Sequence, residues 1–342
     1  MTDPARLVFD PKVSSGYSPY RVLDGKGLAV AAVNEFLDAQ ALRNLSPCSL
    51  RTYGFDLLNF VRWWFEPDKP LDSLTESALV EYVRYQLEAQ PKPAAKTVNH
   101  RLTVVRCLYR FHFGRDLAGS FASRKRTAHW LRCQGPQSSP AGLKLKEPHR
   151  VMIPLSPDEV LKFWQSFRSY RDICIVALML ANGLRSREVL LLRCSDLVLA
   201  QARMRVSGKG NKERIMPLSE DSLLALHRYL HLERPKTDSP YVFVSLKGTR
   251  RGQPMTPAGF RSLFRHHRKQ TGISRANPHR FRHTFGADMV RAGVALPALM
   301  HLMGHASIQT TLLYTELSRE DVWKQYRSAM EKLRRPGVTP KS

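Results

Sequence analysis

Asn277-Pro278-His279-Arg280-Phe281-Arg282-His283 is the stretch from which the rest of the chain is read. Asparagine caps helix N-termini well and proline suits the first helical position, so this pair predicts a helix opening at Pro278. His279 and Arg282 then fall in its first turn, three residues apart on one face. The unpaired N–H groups and macrodipole of a helix start favour an anion there. Downstream lie Met303-Gly304-His305 and Tyr314. Upstream, Arg185 follows Gly183-Leu184 and precedes Glu188, and Lys209 sits within Gly208-Lys209-Gly210.

Two arginines, a lysine, two histidines and a tyrosine suit one chemistry. A phosphodiester under attack gathers negative charge on its non-bridging oxygens. Guanidiniums can clamp those oxygens in bidentate fashion while staying charged. Arg185 and Arg282 are the candidates for that clamp, and a phenol such as Tyr314 can serve as nucleophile. Taken singly these are ordinary features: a surface arginine, a chance His-x-x-Arg, a hairpin turn, a core tyrosine. Their joint occurrence in this order carries the reading.

Composition agrees with a polyanionic partner. The chain has 342 residues with 54 basic and 29 acidic side chains, a net charge of +25, which points to nucleic acid. A membrane surface is not expected, because no long apolar run or amphipathic anchor stands out. Met1 to Gly16 holds no apolar signal core. Five scattered cysteines form no CxxC pair, so neither a disulfide framework nor a zinc site is expected, and a reducing cytoplasm fits.

The length accommodates two domains. Residues 1–27, with Pro, Gly and Ser and little pattern, read as a loosely ordered flexible tail. Residues 28–117 carry four helical stripes, among them Leu50, Tyr53, Leu57, Phe60, Val61 and Trp64, and predict a small helical bundle. Residues 118–150 lose periodicity and include Arg124-Lys125-Arg126, Lys144, Lys146 and Arg150, a basic linker suited to phosphates or a solvated hinge. Residues 151–334 predict an α+β domain. Ser156-Pro157-Asp158-Glu159 is a capping box, and Ile173 to Leu180 is a buried helix. Three short strands surround 197–199, 204–206 and 214–216. Further helices are expected over 223–230, 260–269 and 287–303. A terminal helix carries Val322, Trp323, Tyr326, Met330 and Leu333 on one side. The fold class is therefore mainly α with a small β-sheet.

Five stretches resemble the boxes of the tyrosine recombinases, or phage integrase family. Ala181-Asn182-Gly183-Leu184-Arg185-Ser186-Arg187-Glu188 resembles the first arginine box. Gly208-Lys209-Gly210-Asn211-Lys212-Glu213-Arg214 resembles the β-hairpin lysine box. His279-Arg280-Phe281-Arg282-His283 resembles the HxLRH box, with Phe281 where leucine is usual. Leu302-Met303-Gly304-His305 resembles the LGH box, and Tyr314 stands where the nucleophile belongs. The helical segment is similar to the family's SAM-like core-binding domain.

The resemblance implies roles. Tyr314 attacks the scissile phosphate and forms a 3′-phosphotyrosyl link. Arg185 and Arg282, helped by His305, hold the non-bridging oxygens. Lys209 protonates the departing 5′-oxygen, His279 acts as general base, and Glu188 orients the site. Lys212 and Arg214 are expected as phosphate contacts or solvated charges, and His283 as structural. No metal, nucleotide or other cofactor is implied. The partner is double-stranded DNA, embraced by the two domains, with a homotetramer on two sites and the terminal helix exchanged between protomers or kept by its own. With about 27 residues before the helical domain, too few for a separate arm-binding domain, a recombinase of a mobile element or a Xer-like resolvase fits, and the long linker and N-terminal tail favour the mobile element. Rival readings are type IB topoisomerase-like relaxation of a single duplex and a DNA-binding protein with a relic site.

Overall fold

The computed structural model describes residues 4–64, 69–117, 143–148, 152–208, 213–304 and 327. It falls into two compact units, Met1–His149 and Arg150–Ser342. Among the described residues no helix is long and apolar enough to cross a membrane.

In the first unit an antiparallel hairpin, β1 (Arg6–Phe9) and β2 (Tyr20–Leu23), precedes four helices: α1 (Ala31–Leu42), α2 (Pro47–Trp64), α3 (Glu76–Glu88) and α4 (Ala95–Phe113). Apolar positions at helical spacing turn inward from all four. Phe36 and Leu37, Leu57 and Phe60, Leu79 and Tyr82, and Leu102 and Val105 share one core. Burying each of these large side chains stabilises the unit by about 1.5–3 kcal/mol. Thr75 caps α3 by accepting from the Ala78 N–H, and Gly114 ends α4 in the left-handed conformation.

The hairpin corrects the expectation of a loosely ordered tail. A two-stranded ribbon is marginal alone and needs a surface to pack on. Here α2 supplies it: Gly54 leaves room for Leu7, whose Cδ1 would lie 2.8 Å from an added Cβ. Buried Asn34 on α1 completes the attachment with its carboxamide. Its Oδ1 accepts from the Val22 N–H at 2.8 Å, and its Nδ2 donates to the Val22 carbonyl at 3.0 Å.

Asn99 on α4 repeats this device on residues 143–147, inside the stretch read as a linker. Its Oδ1 accepts from the Leu145 N–H at 2.8 Å and its Nδ2 donates to the Leu145 carbonyl at 2.9 Å. Arg106 adds a bond to the Leu143 carbonyl. Leu143 and Leu145 pack on the core, while Lys144 and Lys146 are exposed. Arg124, Lys125 and Arg126 lie outside the described residues.

The second unit runs α5 (Pro157–Gln165), α6 (Tyr170–Ala181), α7 (Ser186–Leu191), β3 (Leu197–Val198), β4 (Arg203–Ser207), β5 (Glu213–Pro217), α8 (Glu220–Arg228), α9 (Pro257–Thr271), α10 (Pro278–Arg291) and α11 (Leu296–Met303). The capping box at Ser156 and Glu159 opens α5, as its sequence predicts. The strands form an antiparallel sheet in the order β3-β4-β5, with Met204 opposite Met216 and Val206 opposite Arg214. Residues 287–303, expected as one helix, divide between two. Gly293, at φ +81°, follows the end of α10, and Pro297 stands in the first turn of α11. The expected terminal helix lies outside the described residues except for Arg327, which is helical.

Candidate active site

Arg185 is the N-cap residue of α7 and reaches its place through a tight turn at Gly183. Gly183 has φ +62°, and a Cβ there would come within 2.4 Å of the Phe285 ring. Glycine answers both demands. Buried Asn182 fixes the same turn from the other side. Its Nδ2 donates to the Pro217 carbonyl at 2.6 Å, and its Oδ1 accepts from Ser222 Oγ at 2.9 Å. The end of α6, the end of β5 and the start of α8 are thereby joined just before Arg185.

Three residues on, Glu188 is buried, with 3 % of its surface exposed. Its carboxylate accepts from the Arg185 backbone N–H and from Arg185 Nη1, each at 2.8 Å. It also accepts from Arg214 Nη1 at 2.9 Å and Nη2 at 3.0 Å. Arg282 Nη1 stands 3.9 Å from the same carboxylate. Burial by itself would raise the Glu188 pKa, but the bonds from Arg214 and Arg185 outweigh it and hold the carboxyl below its ordinary value. Three guanidiniums against one carboxylate leave two net positive charges in the cluster, which suits a bound anion.

Asn277 caps α10 by accepting from the Arg280 N–H, with Pro278 in the first turn. Arg282 is buried there, while His279, one turn earlier, is exposed. The rings of His279 and His283 lie edge to face with centroids 4.7 Å apart. Phe281 is fully buried, its ring centroid 5.0 Å from Phe163 and 5.7 Å from Phe264. This aromatic cluster is what accommodates phenylalanine where leucine was the expectation.

The arginines converge on the C-terminal end of α11. The last carbonyls of a helix have no partner within it. Here Arg214 Nε donates to the Leu302 carbonyl at 2.9 Å and Arg185 Nη2 to the Gly304 carbonyl at 2.9 Å. Arg282 donates to the carbonyls of Met303 and Gly183. Gly304, at φ +59°, makes room: an added Cβ would lie 2.9 Å from Arg214 Nη1 and 3.4 Å from Arg185 Nη1. His305 follows directly in sequence.

Arg185, Glu188 and Arg282 thus come together. Arg214 corrects its expectation as a solvated charge, because it is buried and holds Glu188 through a bidentate pair. The alternation of β5 carries the signal for this. Arg214 shares a face with buried Met216, while Ile215 between them is 63 % exposed. Asn182 had no sequence signal beyond its place before Gly183. Lys209, Lys212, His305 and Tyr314 lie outside the described residues.

Comparison with known proteins decides the family. The model of the phage integrase family matches residues 154–321, and that of its N-terminal SAM-like domain matches residues 33–115. Tyrosine recombinase XerD of Listeria monocytogenes is 31 % identical over 303 residues, covering 83 % of this chain and 94 % of the relative. The chain belongs to the phage integrase family. It is a tyrosine-type site-specific DNA recombinase. XerC of Staphylococcus epidermidis is 26 % identical, over 84 % of this chain and 92 % of its own. The recombinase also shares its fold with the integrase of transposon Tn1549, solved with transposon right end DNA. That likeness has a TM-score of 0.66 and 19 % identity over 88 % of this chain and 99 % of the integrase. XerH recombinase, bound to a palindromic difH substrate, gives a TM-score of 0.62 and 19 % identity over 88 % and 85 %.

Proposed function

We propose that this recombinase cuts and rejoins double-stranded DNA for the integration, excision or resolution of a mobile element. The observation that supports the chemistry is the gathering of Arg185 and Arg282 around Glu188 at the end of α11. A clamp of that charge stabilises a phosphodiester as negative charge builds on its oxygens. In the step proposed, the Tyr314 phenol oxygen bonds to phosphorus while the bond to the 5′-oxygen breaks. His279 takes the phenolic proton and Lys209 supplies one to the departing 5′-oxygen. The 3′-phosphotyrosyl link conserves the bond energy, so a 5′-hydroxyl can attack it and reseal the strand. His305 joins the two arginines at the phosphate. Arg124, Lys125, Arg126 and Lys212 are proposed DNA contacts. The working assembly is a homotetramer on two sites, and the work takes place in the cytoplasm on the nucleoid.

A suicide duplex nicked beside the scissile phosphate tests the step. Wild type accumulates a covalent protein–DNA adduct and Tyr314→Phe forms none; an adduct that persists in Tyr314→Phe rules out this nucleophile. Sequencing the DNA attached through Tyr314 identifies the target. Flanks free of mobile-element ends would overturn the biological role. Relaxation of supercoiled plasmids lacking any paired site would favour the topoisomerase reading instead.

A further inference from the structure

Arg214 forms three bonds to two different supports of the site. Two run to the Glu188 carboxylate and one to the Leu302 carbonyl. The first partner is the acid that also binds the backbone and side chain of Arg185. The second belongs to the helix end whose next two carbonyls are held by Arg282 and Arg185. Arg214 therefore touches the support of each arginine of the clamp. It is itself enclosed, with 6 % of its side chain exposed, and its three donated bonds all go to protein acceptors.

We propose that Arg214 is a positioning residue for strand cleavage. It fixes the Glu188 carboxylate and the α11 terminus in one frame, so that Arg185 and Arg282 meet the scissile phosphate together. The fork of a guanidinium suits this task in a way a lysine cannot match. Two parallel N–H groups fit the carboxylate, while Nε remains to reach Leu302. Gly304 agrees with this assignment, because any Cβ there would enter the space of Arg214 before that of Arg185. This inference rests on the clamp chemistry proposed above.

The test compares single-turnover cleavage of two suicide substrates by wild type and Arg214→Lys. One substrate carries the natural phosphodiester, and the other a methylphosphonate at the scissile position, which has no anionic oxygen to be neutralised. Displacing catalytic groups by about 1 Å can cost roughly 100-fold, and Arg214→Lys should lose about that much on the phosphodiester. On the methylphosphonate it should lose at most a tenth as much, with DNA affinity near wild type. Equal losses on both substrates, or no loss on either, would overturn the positioning role. Should the lysine variant fail to fold, Arg214→Gln is read by the same ratio, since an amide buries no unpaired charge. Wild type forming no adduct on either substrate would reject the clamp chemistry itself, which keeps the two failures distinct.

Discussion

The Glu188 carboxylate and the Arg214 guanidinium meet through two parallel hydrogen bonds of 2.9 and 3.0 Å, with both side chains enclosed by protein. Removing one partner of such a pair leaves the other buried and uncompensated, at a cost of about 3–5 kcal/mol. Glu188→Ala should destabilise the catalytic unit by that amount in chemical denaturation followed through Trp164. A change below about 1 kcal/mol would mean that solvent reaches the pair.

The same carboxylate sets an acid limit. Its folded pKa lies below its ordinary value. The stability it contributes is therefore complete above about pH 4.3, the ordinary glutamate value, and is lost as pH falls through the lower folded value. The stability gap between wild type and Glu188→Gln should be constant from neutral pH down to that range and shrink below it. A gap that stays fixed down to pH 2 would assign the acid transition to other groups.

Gly183→Ala should be costly twice over. The left-handed backbone penalises an L-residue by about 1–2 kcal/mol, and the new methyl would press on the Phe285 ring. Thermal melts should show a deficit larger than the backbone term alone. Adding Phe285→Leu to Gly183→Ala should recover part of it, because the clash is relieved and the backbone strain is not. No recovery would place the whole cost in the turn.

Asn34→Ala would take the acceptor from the buried Val22 N–H, at about 1–3 kcal/mol, and one of two donors from the Val22 carbonyl, which keeps the Val30 N–H. The hairpin should respond by detaching locally. Hydrogen exchange at residues 20–23 should quicken while α4 keeps its protection. Uniform loss of protection across the unit would show that the hairpin is part of one cooperative fold.

Lys144 and Lys146 stand exposed on the segment that Asn99 holds against α4. Phosphate contacts lower the slope of log affinity against log salt by about 0.9 each. Replacing both lysines with alanine should flatten that slope by up to about 2, with little change in site preference. An unaltered slope would leave the pair as solvated charges.

Much of this architecture is legible in the sequence because it rests on local rules. The helix stripes of α2 and α4, the Asn277-Pro278 start of α10 and the Ser156–Glu159 box each follow from spacing within one or two turns. The hairpin escaped because Arg6–Phe9 and Tyr20–Leu23 are each four residues long and gain their stability from α2 and Asn34, which the local pattern cannot reveal. The break at Gly293 was hidden because apolar residues continue in helical rhythm across it. Arg214 is the instructive case. A positive charge in a basic stretch reads as solvated until strand parity is applied, which puts it on the buried face with Met216. Its acidic partner lies 26 residues away, and no local rule joins the two.

Gly304 combines two requirements that a chirality change can separate. Its left-handed backbone disfavours any L-side chain, and the space an L-methyl would enter belongs to Arg214 and Arg185. A D-alanine installed there by chemical ligation would find the torsion angles comfortable and would send its methyl along the other Cα–H direction. The mirror-image residue thus distinguishes a helix that needs a particular bend from cations that need an empty place.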